Sequence, residues 1–319
     1  MRVFVAGASG AIGTRLVRQL IDRDHDVIGT HRSPASAERV RTLGAEPMAL
    51  DLLDPRAVRA AVLAAAPDAI VHQATALTDV RFSRNIDKSF AVTNRLRREG
   101  TDALLAAARE AGVRHFVAQS YAPLRYAREG GPVKTEDDPI DSDPVRGIRE
   151  TYAAVSHLDD AVVGAGGLVL RYGSFYGASN DGLIEPVRKR QMPIVGSGGG
   201  VSSFIHLDDA AAATVLALET GARGIYNVVD DDPAPLREWL PVLTQALGAK
   251  SPRHVPRWVG WLFAGEAGVM MGTSARGASN AKIKRELGWA PRYPTWRDGF
   301  FSAYGSARRG AGELAVEPR

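Results

Sequence analysis

The sequence predicts a doubly wound, parallel α/β sheet that carries a smaller C-terminal lobe. Three features predict it. Residues 3–6 form an apolar run rich in β-branched and aromatic side chains, which enters a glycine turn and then an amphipathic stretch. Apolar runs and amphipathic stretches alternate through the first half of the chain. After Tyr176 this alternation breaks, glycines crowd residues 177–203, and all five tryptophans lie beyond residue 231.

The elements follow in order. Val3, Phe4, Val5 and Ala6 read as a buried parallel strand. Gly7, Gly10 and Gly13, spaced G-x-x-G-x-x-G, lead into the helical stretch TRLVRQLIDRD. HDVIGTH (25–31) is a second strand, SAERVRTLG a short helix, and EPMALDLLD a third strand running into a turn. DPRAVRAAVLAAA is a helix with Asp54 as N-cap and Pro55 at its first position. DAIVHQA (68–74) is a fourth strand, 99–112 a helix ending at Gly112, and VRHFVAQS (113–120) a fifth strand. The helix 150–165 and the strand GLVLRYG (167–173) follow, then a strand and helix over 203–219 and a strand over 224–230. The expected division is a main domain of 1–176 plus 203–230, with 177–202 plus 231–319 forming the lobe and a fraying tail from Ser306.

Composition narrows the function classes. Hydrophobic residues make up 45% of the 319 and charged residues 24%, as in an ordinary globular protein. No apolar run approaches the roughly 20 residues that span a bilayer. The first residues enter a strand directly, so no leader peptide is expected, and the expected location is cytoplasmic. With no cysteine, disulfides, thiolate catalysis and cysteine–zinc sites are excluded. Forty basic against 36 acidic residues is too even a balance for a nucleic-acid partner. Only six of the basic residues are lysines.

Strand, glycine turn and helix in that order suit a pyrophosphate. Glycines permit the tight turn and a close backbone approach, and the helix N-terminus offers unpaired N–H groups at a positive dipole end. The expected ligand is a dinucleotide held by Gly7, Ser9, Gly10, Ala11, Ile12 and Gly13. The end of the second strand decides which one. It reads Thr30, His31, Arg32, Ser33, with no carboxylate for a ribose 2′-hydroxyl and with an arginine able to clasp a 2′-phosphate. NADP(H) is therefore favoured over NAD(H), with Arg15 as a second candidate cation.

The order of motifs resembles the extended or atypical short-chain dehydrogenase/reductase superfamily, of the NAD(P)-dependent epimerase/dehydratase type, which has a Rossmann fold. The similarity is carried by GASGAIG, DLLD at 51–54, VHQAT at 71–75, EGTDALLAAA, FVAQS at 116–120, TEDDP at 135–139, LRYGSFYG at 170–177, SFIHLDDAA at 203–211, YNVVDDD at 226–232 and KRELGWAP at 284–291. The resemblance implies that Asp51 and Leu52 contact adenine, that Gln73, Ala74 and Thr75 line the diphosphate and ribose side, and that Tyr172 approaches the nicotinamide. It also implies hydride transfer at a carbon bearing oxygen, and pairing as a homodimer through the helices at 99–112 and 150–165. His206, Asp208 and Asp209 read as helix-capping residues, and no metal is expected.

The same resemblance places a catalytic serine at Ser120 and a Y-x-x-x-K motif at Tyr152-Ala-Ala-Val-Ser156. The tyrosine is present and the lysine is replaced by Ser156, one helical turn away on the same face. Without that cation a phenol near its ordinary pKa of about 10 is a poor base but still a proton donor, which favours carbonyl reduction. Arg149 and Lys134 are candidate substitutes for the missing charge, and Tyr121 and Tyr126 are alternative donors. Arg81, Arg84, Arg188 and Arg190 are candidates for holding an acidic substrate. The expected function is NADPH-dependent reduction of a carbonyl on a small metabolite. The alternatives are a nucleotide-sugar epimerase or dehydratase and a non-catalytic NADP(H)-binding protein.

Overall fold

The computed structural model describes residues 1–77, 84–123, 125–178 and 182–305. The first strand, β1 (Arg2–Ala6), is followed by α1 (Ala11–Ile21), β2 (Asp26–His31), α2 (Pro34–Thr42), β3 (Glu46–Ala49), α3 (Pro55–Ala65) and β4 (Ala69–His72). The glycine turn flows directly into α1, which therefore begins three residues before the amphipathic stretch suggests. The Asp54 carboxylate accepts the amides of Arg56 and Ala57 and caps α3.

The second half supplies α4 (Thr101–Glu110), β5 (His115–Tyr121), α5 (Arg149–Gly164), β6 (Leu168–Tyr172), α6 (Leu207–Thr220) and β7 (Gly224–Val228). The helix before β5 starts earlier than 99. Ala91–Arg95 is helical and continues through a π-turn, Leu96–Gly100, into α4. Arginines at 95, 97 and 98 obscure this in the sequence, although Arg95 pairs with Glu99 one turn on.

The seven strands form one parallel sheet in the order β3-β2-β1-β4-β5-β6-β7. One face packs against α1 and α6 through Leu16, Val17, Leu20, Ala210, Ala213 and Ala217. The other packs against α3, α4 and α5 through Val58, Val62, Leu104, Leu158 and Val162. The chain reverses its direction of travel across the sheet between β1 and β4, and at such a switch the carboxyl ends of the strands leave a crevice.

Beyond the sheet a short strand, Ser174–Tyr176, pairs with Phe204–His206, and among the described residues four helices follow β7. These are α7 (Leu236–Ala246), α8 (Arg257–Thr273), α9 (Ala281–Leu287) and α10 (Trp296–Tyr304). Tyr176, Phe204, Trp239, Trp296 and Phe300 form a second apolar core, with Phe204 stacked edge-on against Trp239 and Phe300. Trp258 and Trp261 stand exposed on α8. The Asp209 carboxylate accepts the amides of Arg292 and Tyr293 and so ties α6 to the C-terminal segment. His206 Nδ1 accepts the Asp208 amide and caps α6.

Candidate dinucleotide site and active site

The glycine turn is built by close approach. Gly7 has a φ of +91°, and a Cβ there would lie 2.8 Å from the backbone of Ala74. A Cβ on Gly13 would lie 2.1 Å from the Gly7 carbonyl oxygen. The Gly10 amide donates to that same carbonyl, and the Gly7 amide donates to Thr30 Oγ1. Gly10 is the N-cap of α1 and brings no side chain to its first-turn amides. Ser9, Gly10, Ala11 and Thr14 line a cavity of about 1160 Å³, above the ~300–1,000 Å³ of ordinary ligand pockets. Ile12 and Gly13 lie behind this surface, Ile12 in the core and Gly13 packed under the turn.

The remaining walls come from the strand ends. His31, Arg32, Ser33, Asp51, Leu52, Gln73, Ala74 and Thr75 all line the cavity. Gln73 carries a buried Oε1 without a partner among the described residues. The Asp51 carboxylate also accepts the Leu53 amide, so it shapes its turn as well as the wall. Residues that sequence reasoning missed complete the β2 end: Ser36 and Arg39 of α2, with Arg39 donating to the Ser9 carbonyl at 3.1 Å. The signal for Arg39 lay in the helical spacing of Ser36 and Arg39 after Ser33. Arg15 also lines the cavity, where its guanidinium is paired with Asp208 at 2.7 Å and donates to the Gly177 carbonyl.

Tyr172 occupies a different place from the one expected. It is fully buried on the α1 and α6 face, where its hydroxyl meets Thr214 Oγ1 at 2.6 Å and Gln73 Nε2 at 3.2 Å. Alternation along β6 explains this, since the nearer residue on the opposite face is Arg171. Tyr172 acts behind Gln73, not as part of the cavity wall.

On the α5 face, neighbouring strands bring Ser120, Arg171 and Asn227 into one buried polar row, with His72 nearby opposite Ala118. Burial pushes the His72 imidazole down to about 4, so it is neutral. Ser120 is 2% exposed and its Oγ has no hydrogen-bond partner among the described residues.

Tyr152 and Ser156 share one face of α5, and both turn to Arg125 rather than to the cavity. Tyr152 donates its hydroxyl to the Arg125 carbonyl at 2.6 Å, and Arg125 donates to Ser156 Oγ at 3.2 Å. Arg125 and Arg171 share the buried Asp159 carboxylate at 3.0 and 2.8 Å. Burial pushes the Tyr152 phenol up to about 12, with Arg125 pulling the other way. Arg125 thus stands where a cation was expected from Arg149 or Lys134. Arg149 instead pairs with Asp143, and Lys134 with Asp138.

The other candidates are committed elsewhere. Tyr126 donates to Asn227 Oδ1, and Tyr121 is hydrogen-bonded to Ser174. Arg84 lies over Trp261, Arg188 pairs with Glu185, and Arg190 donates to the Ser251 carbonyl. Arg81 lies outside the described residues. Among those residues, no helix is long and apolar enough to cross a membrane.

A glycine turn under a dinucleotide-sized cavity, at the switch point of a seven-stranded parallel sheet, coincides with a family match. The NAD dependent epimerase/dehydratase family matches residues 3–229. The chain belongs to that family. Similar to this chain is the 3-diazoavenalumate denitrifying reductase of a Streptomyces species, 42% identical over 94% of this chain and 99% of that one. A ketoreductase of Stigmatella aurantiaca, acting on 4-hydroxy-2-methyl-3-oxo-4-farnesyl-3,4-dihydroquinoline-1-oxide, is 31% identical over 79% of this chain and 75% of its own. The NAD complex of Thermus thermophilus UDP-glucose 4-epimerase superposes with a TM-score of 0.71 at 25% identity, covering 98% of this chain and 100% of that one. The chain is accordingly an enzyme of the oxidoreductase and epimerase type, with a nicotinamide dinucleotide as cofactor.

Proposed function

We propose that this enzyme uses NADPH to reduce a carbonyl or comparable electrophilic centre on a small metabolite. The observation that carries the cofactor choice is the composition of the cavity at the end of β2. Arg32 lines it without any ion pair among the described residues, Arg39 stands beside it, and Ser33 and Ser36 add hydroxyls. An unpaired guanidinium with flanking hydroxyls suits a 2′-phosphate, which needs charge-assisted, bidentate donors.

When bound, the nicotinamide supplies the hydride. The chain's own residues do the rest. The glycine turn and the first amides of α1 hold the pyrophosphate, Asp51 and Leu52 flank the adenine, and Gln73 to Thr75 bound the opposite wall. The Ser120 hydroxyl, buried and unpartnered, hydrogen-bonds the reacting oxygen. Tyr152 stays a neutral phenol at physiological pH and serves as proton donor after giving up its bond to the Arg125 carbonyl. A phenol with so high a pKa is a poor base, and this disfavours the oxidation that opens an epimerase or dehydratase cycle. The reductase names of the relatives support the same direction.

Calorimetric titration tests the cofactor, and a carbonyl panel with NADPH tests the reaction. Tighter binding of NADPH than of NADH is expected, with turnover that falls when Ser120→Ala is made. Equal affinity for the two coenzymes would overturn the cofactor assignment. Undiminished turnover in the Ser120 variant would overturn its role.

A further inference from the structure

Arg97 is a buried charge that the fold does not neutralise. It sits in the π-turn between Ala91–Arg95 and α4, and only 6% of its surface is exposed. Its side chain makes no hydrogen bond and no ion pair among the described residues, and Nη1 has neither a partner nor solvent. Burial lowers its pKa to about 10, which leaves it a cation at neutral pH.

Its surroundings make the imbalance worse. Arg97 is within electrostatic reach of His72 at the end of β4, Tyr121 at the end of β5, and Asp159 and Arg125. Asp159 is already shared by Arg125 and Arg171. No carboxylate is therefore left over for Arg97, and the His72 imidazole near it is neutral. An uncompensated buried charge is among the costliest features a fold can carry, and the expense falls away when an opposite charge is supplied. The π-turn is a further sign, because such insertions recur where a helix has to aim a side chain at a functional site. Ser120, the unpartnered hydroxyl, stands beside Arg171 on the same sheet face, and Leu96, next to Arg97, is part of the cavity wall.

We propose that Arg97 binds the carboxylate of an acidic substrate whose reducible group rests at Ser120, so that the enzyme selects organic acids over their neutral esters. The planar fork of a guanidinium matches the two oxygens of a carboxylate. The inference rests on the reductase reading and names the substrate class of that same site.

The test uses benzoylacetate and levulinate, each beside its methyl ester, on the full chain loaded with NADP(H). The wild type is expected to favour the acids by about a hundredfold in kcat/KM, and Arg97→Met to abolish that preference mainly through KM. Arg97→Lys recovers part of it. Without any acid present, Arg97→Met melts no lower than the wild type, since only an unpaired charge has gone. Thermal stabilisation by the acids but not the esters, lost in Arg97→Met, reads binding without turnover. That result with no reduction of any compound would leave Arg97 assigned and sink the reductase reading. Equal turnover of acids and esters would sink the inference and leave the reductase intact. A lower melting point for Arg97→Met in the absence of acid, or no acid-dependent shift in the wild type, would also overturn it.

Discussion

Tyr152 donates its hydroxyl to the backbone carbonyl of Arg125 at 2.6 Å, while the guanidinium carbon of the same arginine lies 5.4 Å from the centre of its ring. One residue of the loop after β5 thus holds the phenol at its tip and over its face. A lysine four positions after the tyrosine would put an ammonium near the phenol from the same helix. Here a guanidinium comes from another segment, and the Ser156 hydroxyl at the lysine position accepts a hydrogen bond from it. Its charge is largely spent on Asp159, so burial wins and the phenol stays protonated.

The protonation state of Tyr152 sets a pH dependence. With its pKa pushed up to about 12, the phenol is in the donor form across the neutral range. Reduction is expected to keep its kcat between about pH 6 and 9, whereas oxidation of the product alcohol rises about tenfold per pH unit. Tyr152→Phe is expected to lower the reduction kcat by about 10²–10⁴-fold. Stopped-flow or steady-state coenzyme assays over that range check both. An oxidation rate already level at neutral pH would mean that the phenol ionises far more easily than its surroundings allow.

Restoring the lysine is expected to harm this protein. In Ser156→Lys an ammonium would enter beside Arg125, which already shares one carboxylate with Arg171. Like charge in a buried cluster is destabilising, here by on the order of 2 kcal/mol or more. Urea unfolding of the variant against the wild type measures it. Unchanged stability with faster alcohol oxidation would show that Arg125 yields its place readily.

The fold was legible because its signals are local. The strand at 3–6, the glycine spacing and the Asp54–Pro55 cap each state their geometry within a few residues. The cavity wall was readable for the same reason at Arg32, Asp51 and Gln73 to Thr75. Tyr172 was misplaced because its partner, Thr214, lies 42 residues away, and the pairing of Arg15 with Asp208 was hidden by a separation of 193 residues. Arg125 was overlooked for the same cause. It meets Ser156 and Asp159 across 31 and 34 residues, and a lone arginine in a loop reads as solvated. Arg97 hid in a run of arginines whose neighbours do reach solvent.

The β2 end of the cavity makes a separable prediction. Arg32→Asp is expected to weaken NADPH by about tenfold to a hundredfold, the range of a charge-assisted hydrogen bond, while NADH changes little. Arg39→Ala is expected to act in the same direction but less, because that side chain is also tied to the Ser9 carbonyl. Parallel titrations of both coenzymes decide it. Equal losses for the two would show that Arg32 does not read the 2′-phosphate.

Asp230, just beyond β7, gives the protein a stability that falls as pH rises. It is 1% exposed, its Oδ1 accepts the Asp232 amide, and its Oδ2 has no partner among the described residues. Burial, with Asp232 and Asp231 adding negative charge nearby, pushes its carboxyl up to about 8. In the unfolded chain the same group titrates near the ordinary value of about 4. Between about pH 4 and 8 the folded state holds a proton that the unfolded state releases, so this contribution is full below 4 and is lost as pH passes 8. Asp230→Asn keeps an acceptor for the Asp232 amide and removes the titration. Its stability relative to the wild type is expected to rise by at least about 2 kcal/mol between pH 5 and pH 8.5 and then level off. Denaturant unfolding at a series of pH values checks this, and a difference that stays constant with pH would mean that Asp230 is ionised in the folded protein throughout.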